Sequence, residues 1–337
     1  MSHSFKLSRR IARFRLPAVA LMLAAVAACD NGTAFNSESS TPSGVTELTP
    51  ADPTPSIDEG TPTPDGSETP LTVMEVSAGS SSFSGGIPIG NTAQPNTAFG
   101  NTYNGALRNI YPQYLNRDLA AIKSRGGKIA LMMAGPDFNY KDADGHFSLT
   151  KWKARIDRYN RTNFDSYIKD GTIIGHYMID EPNDPANWNG RPVSGETLDE
   201  MARYSKSKWP SLPTIVRTYP TYLERWAPYR YLDAAWAQYV YRMGNVDRFI
   251  DEHVASARRQ GLGLVVGLNV LRGGPDKRKM TPSQVKDWGS ALLSSTYPCA
   301  FINWKYESYL ATSSMKDAMN SLRNKAENRA MRSCRGS

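Results

Sequence analysis

Histidine and cysteine are scarce in this chain: 337 residues carry four of the first and three of the second. His3, His146, His176 and His253 have no ligand spacing to one another and no CxxC pair occurs, so no structural or catalytic zinc is expected. No strand-like run leads into GxGxxG or GxxxxGK(S/T), which argues against the doubly wound nucleotide-binding folds, and no cofactor is expected. A repeat of solenoid length is also absent. Lys and Arg are missing altogether from Asp30 to about residue 80. That stretch, with NSESSTPSGVTELTPADPTPSIDEGTPTPDGSETP at its centre, is Ser/Thr/Pro-rich, acidic and nearly free of aromatics. Such a composition cannot bury a core, so residues 29–80 read as a disordered tether. A surplus of one charge is lacking as well. The formal net charge is +8, but five of the forty basic residues fall within the first fifteen, leaving 35 against 32 acids. Those 35 are scattered among acids and form no stripe, so nucleic acid is not an expected partner.

What the chain does have begins at its first residues. MSHSFKLSRRIARFR is basic and free of acids, and the apolar run LPAVALMLAAVAA that follows is too short to span a bilayer stably. The two together have the form of an export signal over residues 1–28. The run closes on Val26-Ala27-Ala28-Cys29, which resembles the bacterial lipobox. The resemblance implies cleavage before Cys29, lipidation of its thiol, and anchoring to a membrane of the bacterial cell envelope. Asp30 is similar to an inner-membrane retention signal of some Gram-negative bacteria, and the leaflet stays open. Cys299 and Cys334 remain as an even pair in an oxidising compartment, so a disulfide tying the C-terminal tail to the last strand is expected.

From residue 81 to 337 short apolar runs alternate with helix-like segments. Strands are expected in KIALMMAG (128–135), TIIGHYMID (172–180), PTIVRTYP (213–220), DAAWAQYVY (233–241), LGLVVGLNVL (262–271) and CAFINWKYE (299–307). Helical spacing or caps mark 112–127, 149–171, 194–210, 245–261, 281–295 and the terminal segment. A weaker seventh or eighth strand lies in SSFSGGIPIGNTAQPNTAFGN, where Gly, Ser and Pro obscure any period. Repeated strand–helix units, each long enough for a right-handed crossover, predict a (β/α)8-like TIM barrel with an irregular first strand or seven good strands.

In such a barrel the active site sits at the C-terminal ends of the strands. The run GHYMIDEP puts adjacent acids, Asp180 and Glu181, at one such end, and Pro182 stops any helix from following. Strict alternation places Gly175, Tyr177 and Ile179 on the face of Glu181, so Glu181 is expected in the mouth and Asp180 bonded to the following loop or a neighbouring strand. This stretch resembles the Asn-Glu-Pro or Asp-Glu-Pro signature of the (β/α)-barrel glycoside hydrolases. The resemblance implies that Glu181 protonates the glycosidic oxygen of a polysaccharide or glycan substrate. It also implies a second carboxylate, which the large retaining clan carries three strands later; here that strand is LGLVVGLNVL and has no acid. Glu307, at the end of the last strand run, is the first candidate and Asp137 the next, with Asp142 and Asp144 behind them. Aromatic, amide and guanidinium groups that stack on and bond sugars crowd the expected strand ends. They include Tyr140, Tyr177, Trp188, Arg217, Tyr219, Gln238, Tyr239, Asn269, Asn303 and Trp304. The rival reading is a catalytically silent barrel that binds carbohydrate or cell-wall polymer. A phosphodiesterase would want His and Asp metal ligands that the chain lacks. A monomer is expected.

Overall fold

The computed structural model describes residues 86–336 except residue 101. The expected export signal, Cys29 and the tether lie outside the described residues. Eight strands run in parallel and close on themselves in chain order. They are β1 (Ile89–Thr92), β2 (Gly105–Asn109), β3 (Lys128–Met132), β4 (Ile173–Asp180), β5 (Thr214–Arg217), β6 (Ala234–Tyr239), β7 (Gly263–Leu268) and β8 (Ala300–Asn303). Around them stand α1 (Leu115–Lys123), α2 (Leu149–Asp157), α3 (Asp165–Lys169), α4 (Gly195–Lys208), the single turn α5 (Pro220–Leu223), α6 (Val246–Arg259), α7 (Pro282–Leu292) and α8 (Ser313–Glu327). The protein is a (β/α)8 barrel.

The strands that the sequence announces most clearly are buried on both faces. Every residue of β7, GLVVGL, is buried, as a parallel strand under a helical layer requires. The helices show one apolar stripe each. In α6 it is Phe249, Ile250, His253, Val254 and Ala257, and Asn245 caps the start by accepting from the Arg248 amide. Ser194 caps α4 in the same way through the Thr197 amide. The irregular first region holds β1, whereas β2 lies just beyond it and escaped the pattern. Its sequence GALRN offers one large apolar side chain, Leu107, and its Gly105 faces a gap so narrow that a Cβ would stand 2.8 Å from the Ile89 amide nitrogen.

Inside the barrel, Leu107, Ala130, Tyr177, Ile215, Trp236, Val265 and Ile302 form a core separate from the layer between strands and helices. The Tyr177 and Trp236 rings meet edge to face at 5.5 Å and occupy its centre. The floor is closed by the C-terminal tail. Cys334 forms the expected disulfide with Cys299, Cα to Cα 5.2 Å, and both join the interior core. A Cβ on Gly263, at the foot of β7, would stand 2.5 Å from the Cys334 carbonyl oxygen.

One irregularity decides which side chains reach the mouth. Tyr177 of β4 pairs with Ile215 of β5, but the next partners are Ile179 with Val216 and Asp180 with Arg217. Met178 is therefore an extra residue, a β-bulge, and it resets the alternation. Ile179 turns outward with Val216 into the helix layer, and Asp180 turns inward with Arg217. The expectation that Glu181 shares the face of Tyr177 by simple alternation is corrected: Asp180 takes that face.

Candidate functional site

Arg217 organises the C-terminal mouth. It is the last residue of β5, faces inward beside Asp180, and is only 7% exposed. Its Nε donates to Asp180 Oδ1, its Nη2 lies 2.7 Å from Glu181 Oε1, and its Nη1 donates to Gln238 Oε1 at 2.8 Å. The guanidinium carbon lies 5.1 Å from the centre of the Trp304 ring. Four strand ends, those of β4, β5, β6 and β8, thus converge on one cation. Burial alone would lower its pKa, but the Asp180 charge first, and then that of Glu181, outweigh burial and hold it above the ordinary arginine range.

Glu181 reaches this cluster through a turn and not through strand alternation. Its backbone is left-handed, φ 39°, a conformation that costs a non-glycine residue about 1 kcal/mol or more and clusters at functional sites. The turn is braced on both sides: the Glu181 amide donates to the Arg217 carbonyl at 3.0 Å, and the Glu181 carbonyl accepts from Trp188 Nε1 at 3.0 Å. The Glu181 side chain stays 47% exposed at the rim. Nε and Nη2 share one edge of the guanidinium, so the Asp180 and Glu181 oxygens bound there are no more than about 7.5 Å apart.

Below this rim four polar atoms are buried with no hydrogen-bond partner among the described residues: Thr92 Oγ1, Tyr177 Oη, Trp236 Nε1 and Gln238 Nε2. Tyr177 and Trp236 belong to the interior core, and Thr92 pairs in register with Leu107, another member of it. Gln238, which meets Arg217 at the mouth, lies two residues after Trp236 and so shares its face of β6. Buried polar groups are normally paired. These four are hydrogen-bonding capacity that the described residues leave unused. Burial, then the Asp180 charge, pushes the Tyr177 phenol far up, so it stays a donor.

The other expected site residues divide. Trp304 and Gln238 belong to the Arg217 cluster. Tyr219 stands beside it, its hydroxyl donating to the Gln238 carbonyl at 3.2 Å and its ring stacked on His253 at 5.1 Å. Trp188 is fully buried, stacked on Tyr140 at 6.2 Å and edge-on to Phe147, so both rings support the Glu181 turn from behind. Burial, then Asp137 and Asp180, raises the Tyr140 phenol. Tyr239 points outward, against Phe249 and Trp288, and donates to the Gly244 carbonyl at 2.6 Å. Asn303 also points away from the mouth. Its Oδ1 accepts from the Leu268 amide at 2.9 Å and its Nδ2 meets Met319 Sδ of α8, which makes it a joint between β7, β8 and α8. Asn269, at the tip of β7, accepts from the Arg272 amide at 3.0 Å.

The carboxylates divide as well. Glu307 lies four residues past the end of β8 and precedes a 3-10 turn, and no ion pair or hydrogen bond joins its side chain to the Arg217 cluster. Asp137 pairs with Lys141, Asp142 with Lys151 at 3.0 Å, and Asp144 with His146 at 2.7 Å. The second acid beside Glu181 is Asp180. Among the described residues no group of three or more His, Cys, Asp or Glu side chains could hold a metal ion. Sequence reasoning passed over Thr92 and did not select Trp236. The latter was accessible, because Trp236 and Gln238 share one face of β6.

No family model and no curated protein matches the chain. Among solved structures it is similar to a GH18 chitinase from Pseudoalteromonas aurantia, with 10% identity over 69% of this chain and 99% of that one and a TM-score of 0.45. It is similar to a GH113 β-1,4-mannanase, with 13% identity, 68% and 89% coverage, and a TM-score of 0.45. A D-psicose 3-epimerase matches with 11% identity, 72% and 96% coverage, and a TM-score of 0.41. Likeness at this level carries no functional argument.

Proposed function

We propose that this barrel is a glycoside hydrolase-like enzyme that cleaves a polysaccharide or glycan, with Glu181 as general acid. The observation that carries the reading is the carboxylate pair at the end of β4, held on one guanidinium over an indole ring. Hydrolysis of a glycosidic bond by this chemistry needs two carboxylates at one strand-end site, and this pair supplies both. Asp180, on the same guanidinium, serves as the partner acid in this reading. In the geometry described Glu181 accepts from Arg217, so it has to leave that contact and carry a proton to serve as donor. Its half-exposed side chain at the rim permits the movement, while Asp180 keeps Arg217 in place. Sugar hydroxyls would find the unpaired Gln238 amide and Tyr177 hydroxyl below. Lipidation at Cys29 would hold the enzyme at the cell envelope, and Cys29→Ala should release or misprocess it in a membrane fractionation.

A second reading, a glycan-binding barrel without turnover, is favoured by one feature. The tip of β7 carries Asn269 where the retaining-clan resemblance implies a nucleophile. Reducing-sugar release by the detergent-solubilised full chain, over a polysaccharide panel, separates the two. Release that Glu181→Gln lowers by about 10²–10⁴-fold supports the enzyme. Binding without release by the unaltered chain sinks it.

A further inference from the structure

Beside the mouth, between the loops that follow β6 and β7, lies a cavity of about 340 Å³. Tyr241, Arg242, Asn269, Arg272, Asp276 and Lys277 line it. The geometry points to a subsite for the anionic group of an acidic sugar, a carboxylate or sulfate carried by the same glycan that occupies the mouth. This rests on the glycan reading above and deepens it.

The cations carry the argument. Some basic side chains on this barrel meet acids, as Lys206 meets Asp233 at 2.7 Å and Lys153 meets Glu200 at 2.7 Å, and others stand singly at the surface; here three without an acid partner line one hollow. Arg242, Arg272 and Lys277 make no ion pair, side-chain hydrogen bond or ring contact with any described residue. Asp276, the acid in the same lining, pairs with none of them. Gathering three like charges around one hollow opposes folding, and an anion that this chain does not supply would relieve it. The loop backbone adds to this. Asp276 and Lys277 are consecutive non-glycine residues with φ of 54° and 59°, both left-handed, a strain that persists where a side chain has to be held in a set direction.

A flat apolar surface in the same lining gives the anion a carrier. Tyr241 is 51% exposed, and its ring is held from behind by Trp288, stacked at 5.9 Å. A rigid exposed ring suits the C–H face of a sugar. The cavity also adjoins the mouth. Asn269 bridges in register to Trp304, which lies beneath Arg217, and Val240 in the cavity wall follows β6 two residues after Gln238. A glycan unit in the mouth would therefore have its neighbour against Tyr241, with its charge among the three cations.

The test is calorimetric binding of the detergent-solubilised full chain to oligosaccharides of galacturonic acid and to the same oligosaccharides fully methyl-esterified, with a sulfated glucan as second anion. Turnover is measured on the same ligands. The acid is expected to bind at least about tenfold tighter than the ester, as charge-assisted bonds to an anion predict, with affinity falling as salt rises. In the double variant Arg272→Gln, Lys277→Gln that preference should vanish while the melting temperature does not fall below that of the parent, as relief of like-charge repulsion requires. Equal binding of acid and ester, or a preference that survives the double variant, overturns the subsite. Cleavage of neutral glycans with no preference for acid overturns it too, yet leaves the hydrolase reading standing. Preferred binding of acid glycans without cleavage does the reverse. If anionic phosphatidylglycerol vesicles bind through Arg272 and Lys277 and acidic glycans do not, the cations serve a membrane surface and the subsite falls.

Discussion

Arg217 is the residue whose loss should be felt in both stability and function. It is buried and its hydrogen bonds hold Asp180 and Gln238, but the Asp180 side chain is 32% exposed, so Arg217→Ala should destabilise by about 1–3 kcal/mol in urea unfolding, below the range for a fully buried ion pair. Asp180→Asn removes the inward acid and should cost more stability than Glu181→Gln, whose side chain stands at the rim. Measured urea midpoints should fall in the order parent, Glu181→Gln, Asp180→Asn, Arg217→Ala. Much of this cluster was legible in the sequence. An acid pair before proline at a strand end, and an Arg, a Gln and a Trp at later strand ends, are all visible in the one-dimensional pattern. Which acid faces inward was not, because the bulge at Met178 is a matter of register against β5 and leaves no mark in the alternation of β4 itself. Tyr239 and Asn303 went astray for a related reason. They belong to the right segments, but face depends on a parity that the strand ends do not reveal.

At the scale of elements, β4 is fixed to its helices through His176. The imidazole stacks on Trp152 of α2 at 5.8 Å, and its Nδ1 meets the Ser205 hydroxyl of α4 at 2.8 Å. Burial depresses its pKa to about 3, and burial likewise takes His253 of α6 down to about 4. In the unfolded chain both titrate near the ordinary ~6.5. As pH falls below that value the unfolded chain binds protons that the folded barrel refuses, so stability falls from about pH 6.5 down to the folded values and then levels. Glu200, held down to about 2 by Arg203 and Lys153, loses its own contribution only below the ordinary carboxylate range. The window between roughly pH 6.5 and 4.5 therefore reports the histidines. Melting temperature should drop across it, and His176→Asn should flatten the slope; an unchanged slope would mean that His176 titrates freely. Helix α7 offers a separate check. Thr281 and Gln284 form a reciprocal capping box, and Thr281→Ala should cost about 1 kcal/mol in urea unfolding. The helices and six strands were readable because their apolar stripes and runs are long. β2 was not, since closeness of backbones there replaces side-chain bulk.

At the scale of the whole molecule the floor and the seam matter most. The disulfide closes a loop with a sequence separation of 35, which on the chain-entropy account stabilises by about 3–4 kcal/mol. Cys334→Ser should lower the urea midpoint accordingly, and a reducing agent should bring the parent to the same value. That the two cysteines pair was legible from their number and compartment. That Cys334 also packs into the interior core was not, because nothing in the tail sequence announces a floor. The seam between β1 and β8 has a consequence in time. Ile89, Gly90 and Asn91 find their partners in Phe301, Ile302 and Asn303, more than two hundred residues later. A chain that emerges from its N-terminus forward has to hold β1 with one open edge until nearly all the rest has been made, and pairings so distant are the slow ones. An unpaired edge invites the wrong neighbour in proportion to its length and stickiness. Here it is four residues, IGNT, preceded by Pro88 and weak in apolar side chains. The strand that must wait longest is also the one least able to attract a stranger while it waits.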